Sequence, residues 1–255
     1  MRPYELARFA FSRGACTALL DERNASAAAP MYNASMIITI DGPAGAGKSS
    51  AARELARRLG FEVLDTGAMY RAVTLAALRA GIDVHDRAAV AALLPKLRIT
   101  MPPGRVLLDG EDVTDFIRTA DITTSSSPVA DNPAVRRHLV GLQQAIAAGR
   151  NLVSEGRDQG TVVFPHAPCK FFLIADPAVR ARRRQREMES RGESLDLPAI
   201  LEAQDARDRR DAARDLAPMK PAVDALIVDS TRLTLVQVVD LMEQSVRRCL
   251  PGSTN

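Results

Sequence analysis

A glycine-rich octapeptide, Gly42-Pro43-Ala44-Gly45-Ala46-Gly47-Lys48-Ser49, fits the pattern G-x-x-x-x-G-K-[ST] at every fixed position. It follows a largely apolar run over residues 36–40, which is the strand-to-helix context of a phosphate-binding loop. Its glycines let the backbone wrap a polyphosphate with N–H groups pointing inward, Lys48 adds a positive charge, and the Ser49 hydroxyl can ligate Mg²⁺. The motif predicts nucleoside triphosphate binding, and a plain glycine turn is the weaker alternative.

A second cluster, Asp65-Thr66-Gly67-Ala68-Met69-Tyr70-Arg71, offers polar groups for a second substrate. A turn at the start of a predicted helix presents backbone N–H groups and the Thr66 hydroxyl, while Tyr70 and Arg71 project from the first helical turn. We therefore expect Arg71 to hold an acceptor phosphate. The alternative is a surface arginine that follows a core tyrosine.

Two more charged clusters occur further along the chain. The loop Glu155-Gly156-Arg157-Asp158-Gln159-Gly160 directly follows an apolar strand, so it is expected at the carboxyl edge of the sheet beside the octapeptide. A structural ion pair between its arginine and its second acidic residue is the competing interpretation. Arg207, Asp211 and Arg214 recur at i, i+4 and i+7 on one helical stripe, which could be a site or a solvated helix face.

The elements that must position these clusters alternate between strands and helices. Apolar periodicity and cap residues predict helices over 48–59, 68–80, 86–94, 133–148, 177–191, 198–213 and 235–249. Short strands are expected over 36–40, 61–64, 151–154, 170–174 and 225–228. Residues 97–114 break this rhythm with alternating side chains and an Asp109-Gly110 hairpin signal. The fold class is therefore α/β, a doubly wound parallel sheet with a small antiparallel insert of about three strands.

Composition places the chain among compact proteins. With 255 residues, 46% of them hydrophobic, it can bury one substantial core. No run approaches the roughly 18 apolar residues of a membrane span, so we expect no membrane association. Three widely spaced cysteines argue against a disulfide framework or a zinc site, and they predict a cytoplasmic location. The net charge of +3 and the 4% aromatic content argue against a nucleic-acid partner. Residues 1–35 are expected to form a disordered N-terminal extension.

A phosphate-binding loop indicates that the chain binds phosphate groups, but it does not indicate which reaction the protein catalyses. The chain lacks the Asn-Lys-x-Asp sequence with which GTPases read guanine, and it lacks the Leu-Ser-Gly-Gly-Gln signature of transporter ATPases. These absences favour a small kinase, in which arginines neutralise the migrating phosphoryl group. A non-catalytic protein switched by ATP and a nucleic-acid binder that uses its arginines are the alternatives outside enzymes.

From residue 36 to about 249 the sequence resembles the bacterial cytidylate kinases, which phosphorylate CMP and dCMP with ATP. Five ordered blocks carry the resemblance: 38–49, 64–71, 107–113, 155–165 and 207–214. It implies a P-loop nucleoside monophosphate kinase with a nucleotide-binding lobe over about 66–132 and a short helical lid over about 180–196. It also implies ATP and CMP or dCMP as substrates, Mg²⁺ as the cofactor that accompanies ATP, and a monomer. A kinase for UMP or for another metabolite is the rival interpretation.

The resemblance also implies roles for individual residues. The acceptor nucleotide would be held by nine side chains: Thr66, Tyr70, Arg71, Ser127, Arg136, Arg157, Asp158, Arg207 and Asp211. ATP would be held by the octapeptide, its neighbour and two lid arginines: Gly42, Pro43, Ala44, Gly45, Ala46, Gly47, Lys48, Ser49, Ser50, Arg180 and Arg184. The metal would be bound at Ser49. Four charged groups would act in the transfer: Lys48, Arg157, Arg207 and Arg214.

Recognition of the base can be argued from hydrogen bonding. Cytosine presents an N4 amino donor beside its N3 and O2 acceptors, so Asp158 can accept from N4 while Arg136 donates to the ring edge. Uracil reverses this pattern at positions 4 and 3, and it would place two acceptors opposite each other. We therefore expect a preference for CMP and dCMP over UMP.

Overall fold

A computed structural model of the chain describes residues 35–190 and 192–249. The predicted disordered extension over residues 1–35 lies outside the described residues except for Ser35. In chain order the elements are β1 (Ile37–Asp41), α1 (Lys48–Leu59), β2 (Glu62–Asp65), α2 (Thr66–Arg79), α3 (Arg87–Leu93), β3 (Ile99–Thr100), β4 (Leu107–Leu108), β5 (Glu111–Asp112), α4 (Ala120–Ala130), α5 (Pro133–Ala147), β6 (Leu152–Glu155), β7 (Cys169–Ile174), α6 (Pro177–Glu189), α7 (Leu197–Ala212), β8 (Leu226–Asp229) and α8 (Leu235–Arg248).

The described strands form two sheets. Five parallel strands lie in the order β2-β6-β1-β7-β8, with β1 in the middle between β6 and β7. The short strands β3, β4 and β5 form an antiparallel sheet of three. Both the parallel α/β fold class and the three-stranded insert are thereby confirmed. In a parallel sheet the carboxyl ends of neighbouring strands meet at one edge, so the loops after β1, β2 and β6 come together.

The helix boundaries follow from local sequence. Gly47 and Gly60 flank α1 with φ of 97° and 69°, the left-handed region that favours glycine. The α6 helix begins at Asp176-Pro177, where the aspartate side chain accepts a backbone hydrogen bond from the first turn, as the sequence predicts. Thr234 opens α8 with the predicted capping box.

Some elements of the structure are missing from the sequence-based expectation, among them the short 3₁₀ helices Leu94–Lys96 and Phe116–Arg118. The helix α4 was not predicted, because its sequence is rich in serine and threonine and contains Pro128, all poor signals for a helix interior. A π-helical turn over Gln159–Val163 was also not predicted. Other boundaries agree with the expectation to within a few residues.

Two large groups of buried apolar residues lie on the two sides of the parallel sheet, and a small third group, Ala181, Met188 and Ile200, joins α6 to α7. Side chains alternate along β1, so Ile38 and Ile40 are buried with α1 and α8, whereas Ile37 packs with α2 and α5. The antiparallel insert contributes Ile99 and Leu108 to the second of these groups. No helix among the described residues is long and apolar enough to span a membrane.

Candidate active site

A cleft of about 1080 Å³ opens at the carboxyl ends of β1, β2 and β6. Its walls are the octapeptide (hereafter the P-loop), the start of α2, the loop 155–158, and parts of α4, α6 and α7. Many of the lining side chains are charged. The cleft brings together the residue clusters that the sequence analysis singled out from separate parts of the chain.

The P-loop is held tightly against the sheet. Gly42 has φ of 139°, and a β-carbon built on it would lie 2.1 Å from the carbonyl oxygen of Leu173 in β7, so no side chain fits there. Lys48 folds back across the loop, where its Nζ donates to the carbonyl oxygen of Pro43 at 2.7 Å. Burial, reinforced by the nearby charge of Arg157, lowers the pKa of Lys48 to about 7. The loop therefore encloses an amine whose charged form is stabilised too little by the nearby carboxylates of Glu155 and Asp208 to keep the ordinary pKa.

Oxygen ligands lie next to the P-loop. Ser49 is in the first turn of α1, and its hydroxyl donates a hydrogen bond to the Glu155 carboxylate. Burial and the neighbouring charge of Asp65 raise the pKa of Glu155, while Lys48 and Ser49 oppose this rise. A hydroxyl beside two carboxylates is a donor set that suits Mg²⁺, which prefers hard oxygen ligands and keeps several waters.

Three arginines converge on the other half of the cleft. Arg157 donates from Nε to Asp211 Oδ2 at 2.9 Å. Arg71 donates weakly to Asp65 Oδ2 at 3.3 Å, and its Nε is buried without a partner. Arg207 forms no hydrogen bond or ion pair with any described residue, and burial, helped by the charges of Arg157 and Arg71, lowers its pKa to about 10. Guanidinium groups that are crowded and partly unpaired form a site for an anion.

A buried ion pair lies deeper in the cleft. Arg136 of α5 donates from Nη2 to Asp158 Oδ2, and both side chains are almost fully buried. The guanidinium also lies 5.7 Å from the centre of the Tyr70 ring. The competing expectation of an Arg157–Asp158 pair is wrong, because each of these residues pairs with another partner. Ser127 lies on α4 and lines the same part of the cleft.

The remaining acceptor-side residues connect these groups. The Thr66 hydroxyl donates to the carbonyl oxygen of Glu155 at 2.7 Å and is buried. Asp211 accepts from Arg157 and from Arg214, and these charges hold its pKa below the usual range although burial alone would raise it. Arg214 also donates from Nε to Asp131 Oδ1 at 2.6 Å, so it links the end of α4 to α7.

The two lid arginines assigned to ATP lie in different environments. Arg184 lines the cleft and pairs with Glu187 at 3.0 Å. Arg180 is buried behind the P-loop, where it donates to the carbonyl oxygen of Ala44 at 2.8 Å and pairs with Asp208.

Sequence reasoning missed Arg183 and Asp208. Arg183 lines the cleft and donates to the carbonyl oxygen of Ala46 at 3.2 Å and to Ser230 Oγ at 2.9 Å. Asp208 accepts from the backbone N–H of Ala44. Arginines occupy most sides of α6, so its sequence carried no signal that would separate one from another.

Comparisons with known proteins agree with this geometry. The family model described as cytidylate kinase matches residues 38–248. Curated proteins named cytidylate kinase are similar over most of both chains. The one from Rhodopirellula baltica is 44% identical over 218 residues (86% of this chain and 95% of that protein), and the one from Mycobacterium leprae is 47% identical over 214 residues (82% and 96%). The one from Pseudomonas aeruginosa is 43% identical over 225 residues (86% and 97%). The range matched by the family model contains every site residue described above, and the chain belongs to the cytidylate kinase family.

Proposed function

We propose that this protein transfers the γ-phosphoryl group of ATP to CMP or dCMP, giving ADP and CDP or dCDP. The observation that carries the proposal is the presence in one cleft of a P-loop, three converging guanidinium groups and a buried arginine–aspartate pair. The P-loop suits a triphosphate, the guanidinium groups suit a monophosphate, and the buried pair suits a base. Membership of the cytidylate kinase family supports the same reaction.

Base selection is assigned to Arg136 and Asp158. Their mutual ion pair fixes the orientation of both side chains, and Asp158 keeps acceptor capacity on a carboxylate that cannot rotate freely. Cytosine N4 donates to such an acceptor, whereas uracil O4 would leave two buried acceptors facing each other. Sites built in this way reject the wrong partner by several kcal/mol, on the order of 10⁴-fold.

Transfer requires alignment and charge balance rather than proton chemistry. The acceptor phosphate is already a nucleophile, so we assign no general base. Lys48, Arg157, Arg207 and Arg214 are assigned to the space between the two phosphates, where positive charge lowers the barrier most. We assign closure over ATP to residues 180–196, because Arg184, Met188 and Leu195 from this segment line the cleft.

The metal that accompanies ATP is assigned to Ser49, with Glu155 and Asp65 nearby. Among the described residues no three imidazole, thiol or carboxylate groups come together to enclose an ion, so Ser49 would share it with phosphate oxygens. When bound there with ATP, the ion would supply positive charge against the negative charge that develops on the phosphate oxygens during transfer. The Ser49 hydroxyl would exchange its hydrogen bond to Glu155 for the ion.

The reaction is tested by ADP release from ATP and Mg²⁺ with CMP, dCMP, UMP and AMP compared side by side. We expect CMP and dCMP to be used with kcat/KM on the order of 10⁴-fold above that of UMP. Lys48→Met is the control that keeps the fold but should lower kcat by orders of magnitude. Equal use of UMP would contradict the roles of Asp158 and Arg136. Absence of any acceptor-dependent ADP would contradict the kinase itself.

A further inference from the structure

The backbone N–H and carbonyl groups of Ala44 in the P-loop are both held by side chains, one from α6 and one from α7. Its N–H donates to Asp208 Oδ1 at 3.1 Å, and its carbonyl oxygen accepts from Arg180 Nη1 at 2.8 Å. The same Nη1 donates to Asp208 Oδ2, so the three groups form a closed ring. We call this ring of Arg180, Asp208 and the Ala44 peptide the Ala44 clamp. It joins the P-loop to both α6 and α7.

Burial makes the Ala44 clamp stronger than a surface ion pair. The side chains of Arg180 and Asp208 are 6% and 14% exposed. Arg180 has one further carboxylate nearby, Asp205, which is 3.6 Å away and 43% exposed. Hydrogen bonds between charged partners gain strength where water is excluded, and removing one partner leaves the other buried without compensation. The clamp thus has a larger effect on the loop than the contact with Asp205 can have.

The surroundings leave the P-loop little freedom to move away from the clamp. Gly45 has φ of 73°, and a β-carbon built on it would lie 2.8 Å from Nε2 of Gln204 and 3.1 Å from the β-carbon of Arg180. The helices α6 and α7 therefore press directly on the loop. Asp208 is also the neighbour of Arg207, which is assigned to the acceptor phosphate. A change at the clamp would displace the triphosphate cradle relative to α7.

We propose that Asp208 and Arg180 are positioning residues that act as a unit to hold the P-loop in its ATP-binding shape, and that neither contacts ATP. This gives Arg180 a different role from the direct ATP contact that the family resemblance implies. The proposal rests on the proposed function only in that ATP is the ligand of the P-loop. It predicts that replacing either residue weakens ATP binding about as much as replacing both.

A double-mutant cycle tests this proposal. Dissociation constants for ATP with Mg²⁺ are measured by calorimetry on the wild type, Asp208→Asn, Arg180→Met and the double variant, without any acceptor. We expect each single change to weaken ATP binding about tenfold and the double change to weaken it no further than the worse single change, because both break one ring. Asp205→Asn is the matched control, since it neighbours Arg180 without touching the P-loop, and its ATP affinity should stay within about twofold of wild type.

Two outcomes would overturn the proposal. If the effects of the single changes multiply in the double variant, Arg180 contacts ATP independently of Asp208. If Asp208→Asn behaves like Asp205→Asn, the clamp does not shape the loop. Arg180→Lys, which keeps the charge, replaces Arg180→Met if that variant does not fold. CMP-dependent ADP release by the wild type is measured in a separate assay. A failure of the proposed function would appear in that assay, whereas the double-mutant cycle reports only on ATP binding.

Discussion

Lys48 shows how strongly the cleft changes the chemistry of a single side chain. Its ammonium is buried and bonded to the carbonyl oxygen of Pro43, and its pKa is lowered to about 7 by burial and by the charge of Arg157. Glu155 and Asp208 act in the opposite direction but do not restore the ordinary value. In the free protein above neutral pH, Lys48 is therefore largely uncharged.

Binding of ATP should consequently take up a proton at Lys48. A bound polyphosphate favours the ammonium form and raises the lysine pKa again, so at pH 8 we expect an uptake of about one proton per ATP. Calorimetric titration in buffers of different ionisation enthalpy measures this number. Lys48→Met should abolish the uptake, whereas Lys220→Met, a change at an exposed lysine, should leave it unchanged. Equal uptake in wild type and Lys48→Met would disprove the shifted pKa.

Residues with a motif around them could be identified from the sequence, and residues without one could not. The P-loop has fixed positions that report its chemistry directly. Arg157 and Asp158 follow a strand, which placed them at the sheet edge, but their true partners come from α7 and α5, so the local sequence suggested the wrong ion pair. Arg183 and Asp208 act through contacts across more than one hundred positions in the chain.

At the scale of helices and strands, local sequence signals predicted the boundaries correctly where a capping residue or a glycine lies at the end of the element. They failed at α4, which is stabilised by tertiary contacts because Ile122 and Val129 are buried against the core. They also failed at the π-helical turn Gln159–Val163. Its first two N–H groups donate to the Asp41 carboxylate at 2.9 and 2.7 Å, and Asp41 is more than one hundred positions away. No local pattern encodes such a contact.

The capping box of α8 gives a prediction at this scale. Thr234→Ala removes the side-chain acceptor for the backbone N–H of Gln237, so we expect the free energy of unfolding to fall by about 1 kcal/mol. Urea denaturation measures the change, and kcat should be unaffected because α8 supplies no proposed catalytic group. Gln244→Ala, in the exposed middle of the same helix, should change stability by less than about 0.5 kcal/mol. A loss at Thr234 no larger than at Gln244 would refute the contribution of the cap.

Across the whole molecule, positive charge is concentrated rather than abundant. The net charge is only +3, yet the cleft gathers the guanidinium groups of Arg71, Arg157 and Arg207 at one edge of the sheet. Focusing of this kind attracts phosphate ligands over distances comparable to the screening length. The sequence predicted a parallel sheet but not the order of its strands, because pairing between distant strands depends on contacts that no single segment contains.

Salt should therefore weaken acceptor binding. Raising the ionic strength from about 0.05 to 0.3 M shortens the screening length, so we expect the KM for CMP to rise several-fold with little change in kcat. Arg207→Met should raise KM at low salt and flatten its salt dependence. The matched change Arg209→Met, at an exposed position on the same helix, should preserve the wild-type dependence. A KM that does not respond to salt would contradict electrostatic capture of the acceptor.

The crowding of Arg71, Arg157 and Arg207 affects more than catalysis. Arg207 lies beside the charges of Arg157 and Arg71, and this repulsion raises the free energy of the empty folded state until an arriving phosphate relieves it. Nucleotides should accordingly act as folding stabilisers for this chain. Proteolysis would remove the protein fastest when nucleotides are scarce, so its abundance in the cell would follow the supply of the compounds that it consumes.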